Sequence, residues 1–127
     1  MTLKKFFDIT GNNYNETVSR FSDENLALKF IKRFPGDPSF SEFEESLKTD
    51  DLAKAFKSAH KFKGVCWNVG LDTLGDKAAE IDEYLRVPAK EPKYDLPKNE
   101  KLDIAKKMFP DLKHDYEVTV SAITEIE

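Results

Sequence analysis

The chain has 127 residues, of which 39% are hydrophobic and 35% charged, a composition typical of a soluble helical protein with a core of its own. The net charge of −4 and the lack of clustered basic residues exclude a nucleic-acid partner. A single cysteine excludes an internal disulfide, and no apolar run is long enough for a membrane span or a signal peptide. We therefore expect one domain over residues 1–127, monomeric and cytoplasmic.

Short helices are predicted at the start of the chain. Apolar residues at helical spacing predict a first helix over residues 2–9, which Gly11 would stop, and a second over 14–21. Ser22 is the expected N-cap of a third helix, which the Pro35-Gly36 pair ends. The apolar stripe predicted for this third helix consists of Leu26, Phe30, Ile31 and Phe34.

Longer helices are predicted in the middle of the chain. Asp37 and Pro38 start one in the manner of an N-cap followed by proline, and residues 49–51 turn the chain and cap the next. The next helix ends at Gly70, and a return helix follows after a tight turn, so the two should form an antiparallel hairpin. The apolar stripe of the return helix consists of Leu71, Leu74, Ala78, Ile81 and Leu85.

The last third of the chain begins with a polar, proline-containing segment over residues 87–99, which predicts a loop within the domain. One helical register then runs from Leu102 to Ile123, and Pro110 inside it predicts a kinked helix or two short collinear helices. No strand-like alternation persists anywhere. The predicted fold is all-α, an antiparallel up-and-down four-helix bundle with short extra N-terminal helices covering one end.

The helix before Gly70 contains a histidine, His60, that lies opposite its apolar stripe. At about 100° per residue, the stripe falls roughly 100° to 200° away from His60, so His60 should face solvent. The stripe consists of Ala55, Ala59, Phe62, Cys66 and Val69, and Cys66 is accordingly expected to be an inert core residue. The residues within roughly 60° of His60 are Ala53, Phe56, Lys57, Lys63, Gly64 and Trp67.

The neighbours of His60 suit a histidine that carries an anion. Neutral imidazole is a competent nucleophile near pH 7, since its ordinary pKa is about 6.5. Lys63, one turn along, would place an ammonium beside an anion on the ring, and Gly64 would leave room for it. Glycine inside a helix lowers its stability by about 1 kcal/mol relative to alanine, and clearance for an anion on His60 would explain why Gly64 is present. His114 has no lysine or glycine in the same arrangement and is predicted to be a surface residue.

The arrangement His60-x-x-Lys63-Gly64, followed by Gly70, resembles the motif of the histidine-containing phosphotransfer (HPt) domain of two-component phosphorelays. The similarity extends over roughly residues 22–86. It implies that His60 is phosphorylated, that Lys63 is the charge partner of the phosphoryl group and that Gly64 provides clearance. Phe62 and Trp67 depart from the family pattern, which usually has leucine before the Lys-Gly pair and a smaller residue at the tryptophan position.

The same resemblance implies the partners. An upstream hybrid histidine kinase and response-regulator receiver domains would exchange phosphoryl groups with His60, and the receivers would supply the catalytic acids and bound magnesium. The chain has no glycine-rich nucleotide loop, and its histidines lack companions at zinc-like spacing. We therefore expect a phosphorelay intermediate without a metal, a cofactor or ATP-dependent kinase activity of its own, a carrier rather than a stand-alone enzyme.

Two other classes of function remain open. The first is a non-catalytic interaction module that docks through the exposed surface around Phe56, His60 and Trp67. Whether the chain is such a module or a phosphorelay intermediate, the residues predicted to contact the partner are Phe56, Lys57 and Trp67. For Trp67 one alternative to the docking role remains open, in which the first helix, over residues 2–9, covers its side chain. An enzyme that uses His60 as a general base is disfavoured, because the sequence indicates neither a pocket nor an orienting carboxylate beside it.

Overall fold

The computed structural model describes all 127 residues, and its regular structure consists of helices without any strand, which confirms the predicted fold class. Two short 3₁₀ helices cover Phe34–Gly36 and Pro92–Tyr94. The seven α-helices are α1 (Leu3–Ile9), α2 (Tyr14–Phe21), α3 (Glu24–Arg33), α4 (Ser39–Lys48), α5 (Leu52–Asn68), α6 (Asp72–Leu85) and α7 (Lys98–Ile123).

Helices α4 to α7 form the bundle, in which each helix packs on the next and α7 returns to contact α4. A single cluster of 25 buried apolar side chains joins these four helices to α1 and α3. Aromatic rings fill its centre: Phe40 stacks on Tyr116 with 3.8 Å between ring centroids and lies 5.3 Å from Phe62. Because α5 is central, its outer face is the only part of it that reaches solvent.

The two ends of α5 form as the sequence predicts. Asp51 caps its start by accepting a hydrogen bond from the backbone N–H of Lys54 at 3.1 Å. At its end Gly70 takes a left-handed conformation, with φ of +79°. A side chain at Gly70 would also collide with Thr17 of α2, whose Oγ1 lies 2.1 Å from the position of a Cβ. The turn between α5 and α6 therefore requires glycine for two independent reasons.

The N-terminal helices cover the end of the bundle at which α5 and α6 join. Arg20 of α2 donates to the backbone oxygen of Trp67 at 3.1 Å, and Asn12 accepts from the backbone N–H of Thr73 at 3.0 Å. Phe6 and Phe7 of α1 are fully buried. These contacts leave the middle of α5, where His60 lies, uncovered by the N-terminal segment.

Two predictions about α3 are wrong in detail. Ser22 does not cap α3; it closes α2 in a left-handed conformation, and the next residue, Asp23, accepts from the backbone N–H of Asn25 at 2.8 Å. Leu26 and Phe30 are not buried but are 39% and 37% exposed. The helix packs through a narrower stripe, since Ala27, Ile31 and Phe34 provide its buried contacts.

The final helix is continuous from Lys98 to Ile123, so the predicted possibility of two short helices is wrong. Pro110 lacks the N–H that would bond the carbonyl of Lys106, but both residues are exposed, and water can satisfy that carbonyl. The predicted loop over residues 87–99 is present up to Pro97, since α7 begins two residues earlier than predicted, and it contains one 3₁₀ turn. None of the helices has both the length and the apolar character that crossing a membrane requires.

Candidate functional site

His60 lies on the outer face of α5, with 53% of its side chain exposed, as the angular argument predicts. The residues of the predicted core stripe on the opposite side, including Phe62 and Cys66, are buried. Burial also raises the pKa of the Cys66 thiol, which is consistent with an inert core cysteine. The ring of Phe56, one turn before His60, lies 5.6 Å from the imidazole between centroids.

A buried carboxylate from the neighbouring helix reaches the imidazole. Asp82 of α6 is completely buried, and its Oδ2 lies 3.2 Å from Nδ1 of His60. Because a carboxylate can only accept hydrogen bonds, Nδ1 is the protonated nitrogen of a neutral ring in this arrangement. The other nitrogen, Nε2, then carries the free lone pair, on a side chain that is 53% exposed.

The sequence shows no sign of an orienting carboxylate beside His60, but the structure places Asp82 there. Asp82 falls on the apolar stripe of α6, one turn after Ala78 and two turns after Leu74. A charged residue in such a position is rarely buried without a partner. That signal could have marked Asp82 as unusual, although it does not by itself identify His60, 22 residues away, as the partner.

Lys63 is bound to the same carboxylate oxygen. Its Nζ donates to Oδ2 of Asp82 at 2.7 Å, and its side chain is only 14% exposed. The ammonium also lies 5.5 Å from the ring centroid of Trp67, close enough for a cation–π contact. Lys63 thus lies one turn from His60, as predicted, but its charge is held by Asp82 rather than projecting freely into solvent.

Arg86 is a second cation at the site and was missed from the sequence. It directly follows the last residue of α6, four residues after Asp82, with Nη2 3.7 Å from Oδ2. Its guanidinium carbon is 4.9 Å from the ring centroid of Phe56. Its backbone carbonyl accepts a hydrogen bond at 3.0 Å from Lys101, a buried lysine of α7. Two cations therefore lie within 4 Å of one carboxylate oxygen, and the excess of positive charge at the site favours a bound anion.

The three residues predicted to contact the partner differ in how exposed they are. Lys57 is exposed, Phe56 is half-buried, and Trp67 is 37% exposed. The first helix does not cover Trp67. Instead the indole lies against Gly75 of α6, where a Cβ would be 2.3 Å from its ring, and Nε1 donates to Asp76 at 3.0 Å.

Gly64 lies beside His60 in open space. A Cβ at this position would meet no atom within 4 Å beyond its own helix, so no contact inside the molecule excludes a side chain there. His114, in contrast, is an exposed residue of α7 for which no side-chain hydrogen bond or ion pair is found. No group of three or more histidine, cysteine, aspartate or glutamate side chains is arranged to hold a metal ion.

Two open depressions lie on either side of the His60 region of α5. One, of about 470 Å³, is lined by Leu52, Phe56 and Val87 among others. The second, of about 430 Å³, includes Phe30 and Val65 in its lining. His60 lines neither of them, and Phe56 is the only residue predicted to contact the partner that lines either one.

Comparison with known families gives one match: a family model described as the Hpt domain matches residues 36–117. The matched segment contains α4, α5, α6 and most of α7, and thus His60, Lys63, Asp82 and Arg86. No curated protein and no solved structure matches the chain.

Proposed function

Because the chain belongs to the Hpt domain family, whose role is histidine phosphotransfer in phosphorelays, we propose that His60 is its phosphoryl acceptor. In this proposal His60 takes the group from an aspartyl-phosphate receiver domain and passes it to another receiver. An upstream hybrid histidine kinase would feed the relay, and magnesium would be held by the receivers. The domain would comprise all of residues 1–127 and act as a cytoplasmic monomer.

The hydrogen bond between Asp82 and Nδ1 of His60 is the observation that supports this proposal most directly. With the proton on Nδ1, where the carboxylate can accept its hydrogen bond, Nε2 would be the nucleophile. In the forward step the lone pair of Nε2 forms a bond to phosphorus while the bond from phosphorus to the aspartyl oxygen breaks. The electron pair of the broken bond returns to the aspartate of the receiver.

Asp82 also compensates the charge that develops in that step. Nδ1 keeps its proton, so the imidazole becomes cationic as the new bond forms, and the carboxylate lies beside that positive charge. The reverse step, transfer to a second receiver, restores the neutral ring. A carboxylate in this place therefore favours acceptance, while the accessible Nε2 favours onward transfer.

Lys63 supplies the positive charge that the phosphoryl oxygens require, and Arg86 is a second cation beside Asp82. Both lie within 4 Å of Oδ2 of Asp82, and Lys63 is also on the same helix as His60. An ammonium on a flexible stem can turn toward an anion on the neighbouring turn of the helix. Gly64 leaves the space beside His60 open, so the receiver can bring its aspartyl phosphate close to Nε2.

Phe56, Lys57 and Trp67 are proposed to contact the receiver around the reacting atoms. The depression that Phe56 lines supports this, since an interface needs a surface that partner side chains can fill. The same depression also favours a second candidate, a helical interaction module that binds its partner without phosphoryl chemistry.

The decisive experiment mixes the protein with purified receiver domains from its own genome, each phosphorylated beforehand. We expect acid-labile labelling that His60→Gln abolishes and His114→Gln, the matched control, retains. Circular dichroism should show that both variants keep the fold, since a polar exchange at an exposed position usually changes stability by within about 0.5 kcal/mol.

Labelling that persists in His60→Gln would contradict the assignment of the acceptor. Receivers that bind the protein without ever labelling it would favour the interaction module instead.

A further inference from the structure

The hydrogen bonds around Asp82 are unevenly distributed between its two oxygens. All of its close contacts, with His60, Lys63 and Arg86, are made by Oδ2. Oδ1 is buried and has no hydrogen-bond partner, and the same is true of Nε of Arg86. Buried polar atoms without partners are rare in folded proteins, so a matched acceptor and donor one helical turn apart require an explanation.

The unpaired atoms belong to groups that fit each other. A guanidinium presents Nε and a terminal nitrogen as parallel donors, which match the two oxygens of a carboxylate. Nη2 of Arg86 now lies 3.7 Å from Oδ2 of Asp82, slightly beyond hydrogen-bond length. Approach of the guanidinium in this side-on orientation would bring Nη2 to Oδ2 and Nε to Oδ1, which would satisfy both unpaired atoms.

The contact between Lys63 and Asp82 explains why the guanidinium of Arg86 does not hydrogen-bond to the carboxylate. Its ammonium already holds Oδ2 at 2.7 Å, while the guanidinium of Arg86 rests over the ring of Phe56. Asp82 therefore has a strong cationic partner, and Arg86 has a favourable position of its own. The arrangement contains one buried anion and two cations, only one of which is bound to it at hydrogen-bond length.

We propose that Arg86 is the reserve partner of Asp82: when Lys63 turns to the phosphoryl group on His60, the guanidinium of Arg86 moves to the carboxylate of Asp82 and replaces the ammonium there. This inference rests on the proposed function for its trigger. Without a replacement, the departure of Lys63 would leave the imidazole as the only hydrogen-bond partner of the buried carboxylate, and Oδ1 would still have none. Arg86 is thus a positioning residue: it holds the carboxylate of Asp82 in place against Nδ1 while Lys63 serves the phosphoryl oxygens.

The first test needs no phosphoryl chemistry. Lys63→Met removes the competing ammonium, so Arg86 should pair with Asp82 permanently, and its Nε–H signal in a nitrogen–proton NMR spectrum should move downfield from its position in the natural protein. Arg86→Lys, which lacks that signal, identifies it. Arg33 is the matched control, because its guanidinium also lies over a phenyl ring, 5.7 Å from Phe30, but makes no contact with Asp82. An unmoved Arg86 signal in Lys63→Met would overturn the proposal.

The second test uses phosphoramidate, which transfers its phosphoryl group to an imidazole nitrogen and releases ammonia. In a His114→Gln background, labelling of His60 should move the Arg86 signal in the same direction as Lys63→Met does. Arg86→Gln should shorten the lifetime of the phosphohistidine about tenfold, the scale of one charge-assisted hydrogen bond, and Arg86→Lys should restore part of it. Arg33→Gln should leave the lifetime unchanged.

The outcomes separate this proposal from the proposed function. An unchanged phosphohistidine lifetime in Arg86→Gln would overturn the exchange of partners while leaving His60 as the acceptor. If neither phosphoramidate nor any receiver labels His60, the proposed function fails, and the comparison of the natural protein with Lys63→Met still decides whether Arg86 is the reserve partner of Asp82.

Discussion

Helix α5 packs against its two neighbours in different ways. Toward α4 the contact is aromatic and dry: Phe62 is 1% exposed, and its ring lies 5.3 Å from that of Phe40. Toward α6 the contact is built around a buried charge, since Asp82 accepts hydrogen bonds from both Lys63 and His60. One helix thus has an apolar side and a side with buried ionic groups, although both sides are buried against neighbouring helices.

The difference shows which contacts stabilise the fold and which prepare the chemistry. Burial of an aromatic side chain contributes several kcal/mol of stability. A buried ion pair is weak evidence for stability, because desolvation of its charges offsets most of their attraction. The α6 side of α5 therefore requires a reason other than stability, and the orientation of His60 by Asp82 provides one.

The largest effect on stability is expected from Phe62→Ala, which tests the apolar side. Truncation of a buried phenylalanine usually lowers the free energy of unfolding by about 3–5 kcal/mol. Urea denaturation measures that loss. Labelling of His60 by phosphoramidate should be unchanged in the folded protein, because Phe62 has no contact with Asp82. Phe30→Ala, at a 37% exposed phenylalanine, is the control and should cost less.

If Phe62→Ala unfolded at nearly the same urea concentration as the natural protein, the aromatic side would not be the source of stability. A slower labelling of the folded variant would show that the two sides of α5 are coupled.

Asp82→Asn tests the side with buried ionic groups and should change transfer more than stability. The amide keeps the shape and one acceptor for Nδ1 but loses the charge that compensates a cationic imidazole. Single-turnover labelling by a phosphorylated receiver should slow by about 10- to 100-fold, as expected for loss of a charge-assisted hydrogen bond of 1.5–3 kcal/mol. Asp76→Asn on the same helix is the matched control, since Asp76 contacts only Trp67 among the site residues.

Equal labelling rates for Asp82→Asn and Asp76→Asn would remove the carboxylate from the mechanism. Asp82 would then be a structural partner of Lys63 alone.

The contacts predicted from the sequence are those that depend on nearby residues. Helical spacing of apolar residues identifies α1, α2 and the two sides of α5, and the caps at Asp51 and Gly70 follow from residue type alone. Local signals fail where two neighbours compete for one role, as Ser22 and Asp23 do at the start of α3.

The carboxylate of the site could not be predicted in the same way, because it depends on how α6 aligns with α5. In an antiparallel hairpin of helices with equal rise per residue, positions equally far from the turn lie at the same level. Around Leu71, His60 pairs in this way with Asp82, Phe56 with Arg86 and Trp67 with Gly75. The residues that lie at the same height along the two helices can thus be estimated from the sequence. The rotation of each helix about its axis, which decides whether their side chains meet, is set by packing.

Gly75→Ala tests the part of the α5–α6 contact that Trp67 forms, with a smaller expected effect. Alanine should stabilise a helix by about 1 kcal/mol, but its Cβ would lie 2.3 Å from the indole and displace it. Loss of the hydrogen bond to Asp76 and of the contact with Lys63 should outweigh that gain, so the variant should be slightly less stable. Because Trp67 is the only tryptophan, its emission should shift to longer wavelength.

A gain in stability with unchanged emission would show that α5 and α6 can separate enough to keep the indole in place. Gly36→Ala, at a glycine with no neighbour within 4 Å, is the control and should leave the emission unchanged.

The smallest expected change in stability belongs to Gly64→Gln, which separates access to the site from its chemistry. Glutamine favours helix over glycine by about 0.5 kcal/mol, and the open space around Gly64 imposes no opposing clash, so thermal unfolding should occur at a slightly higher temperature. The side chain would extend beside His60, where a receiver must approach, whereas a small donor can pass it. Labelling by a receiver should therefore slow while labelling by phosphoramidate stays unchanged, and Gly64→Ala should fall between the natural protein and Gly64→Gln. A variant that is more stable and accepts phosphoryl groups from both donors at the natural rate would show that Gly64 does not provide clearance for the partner.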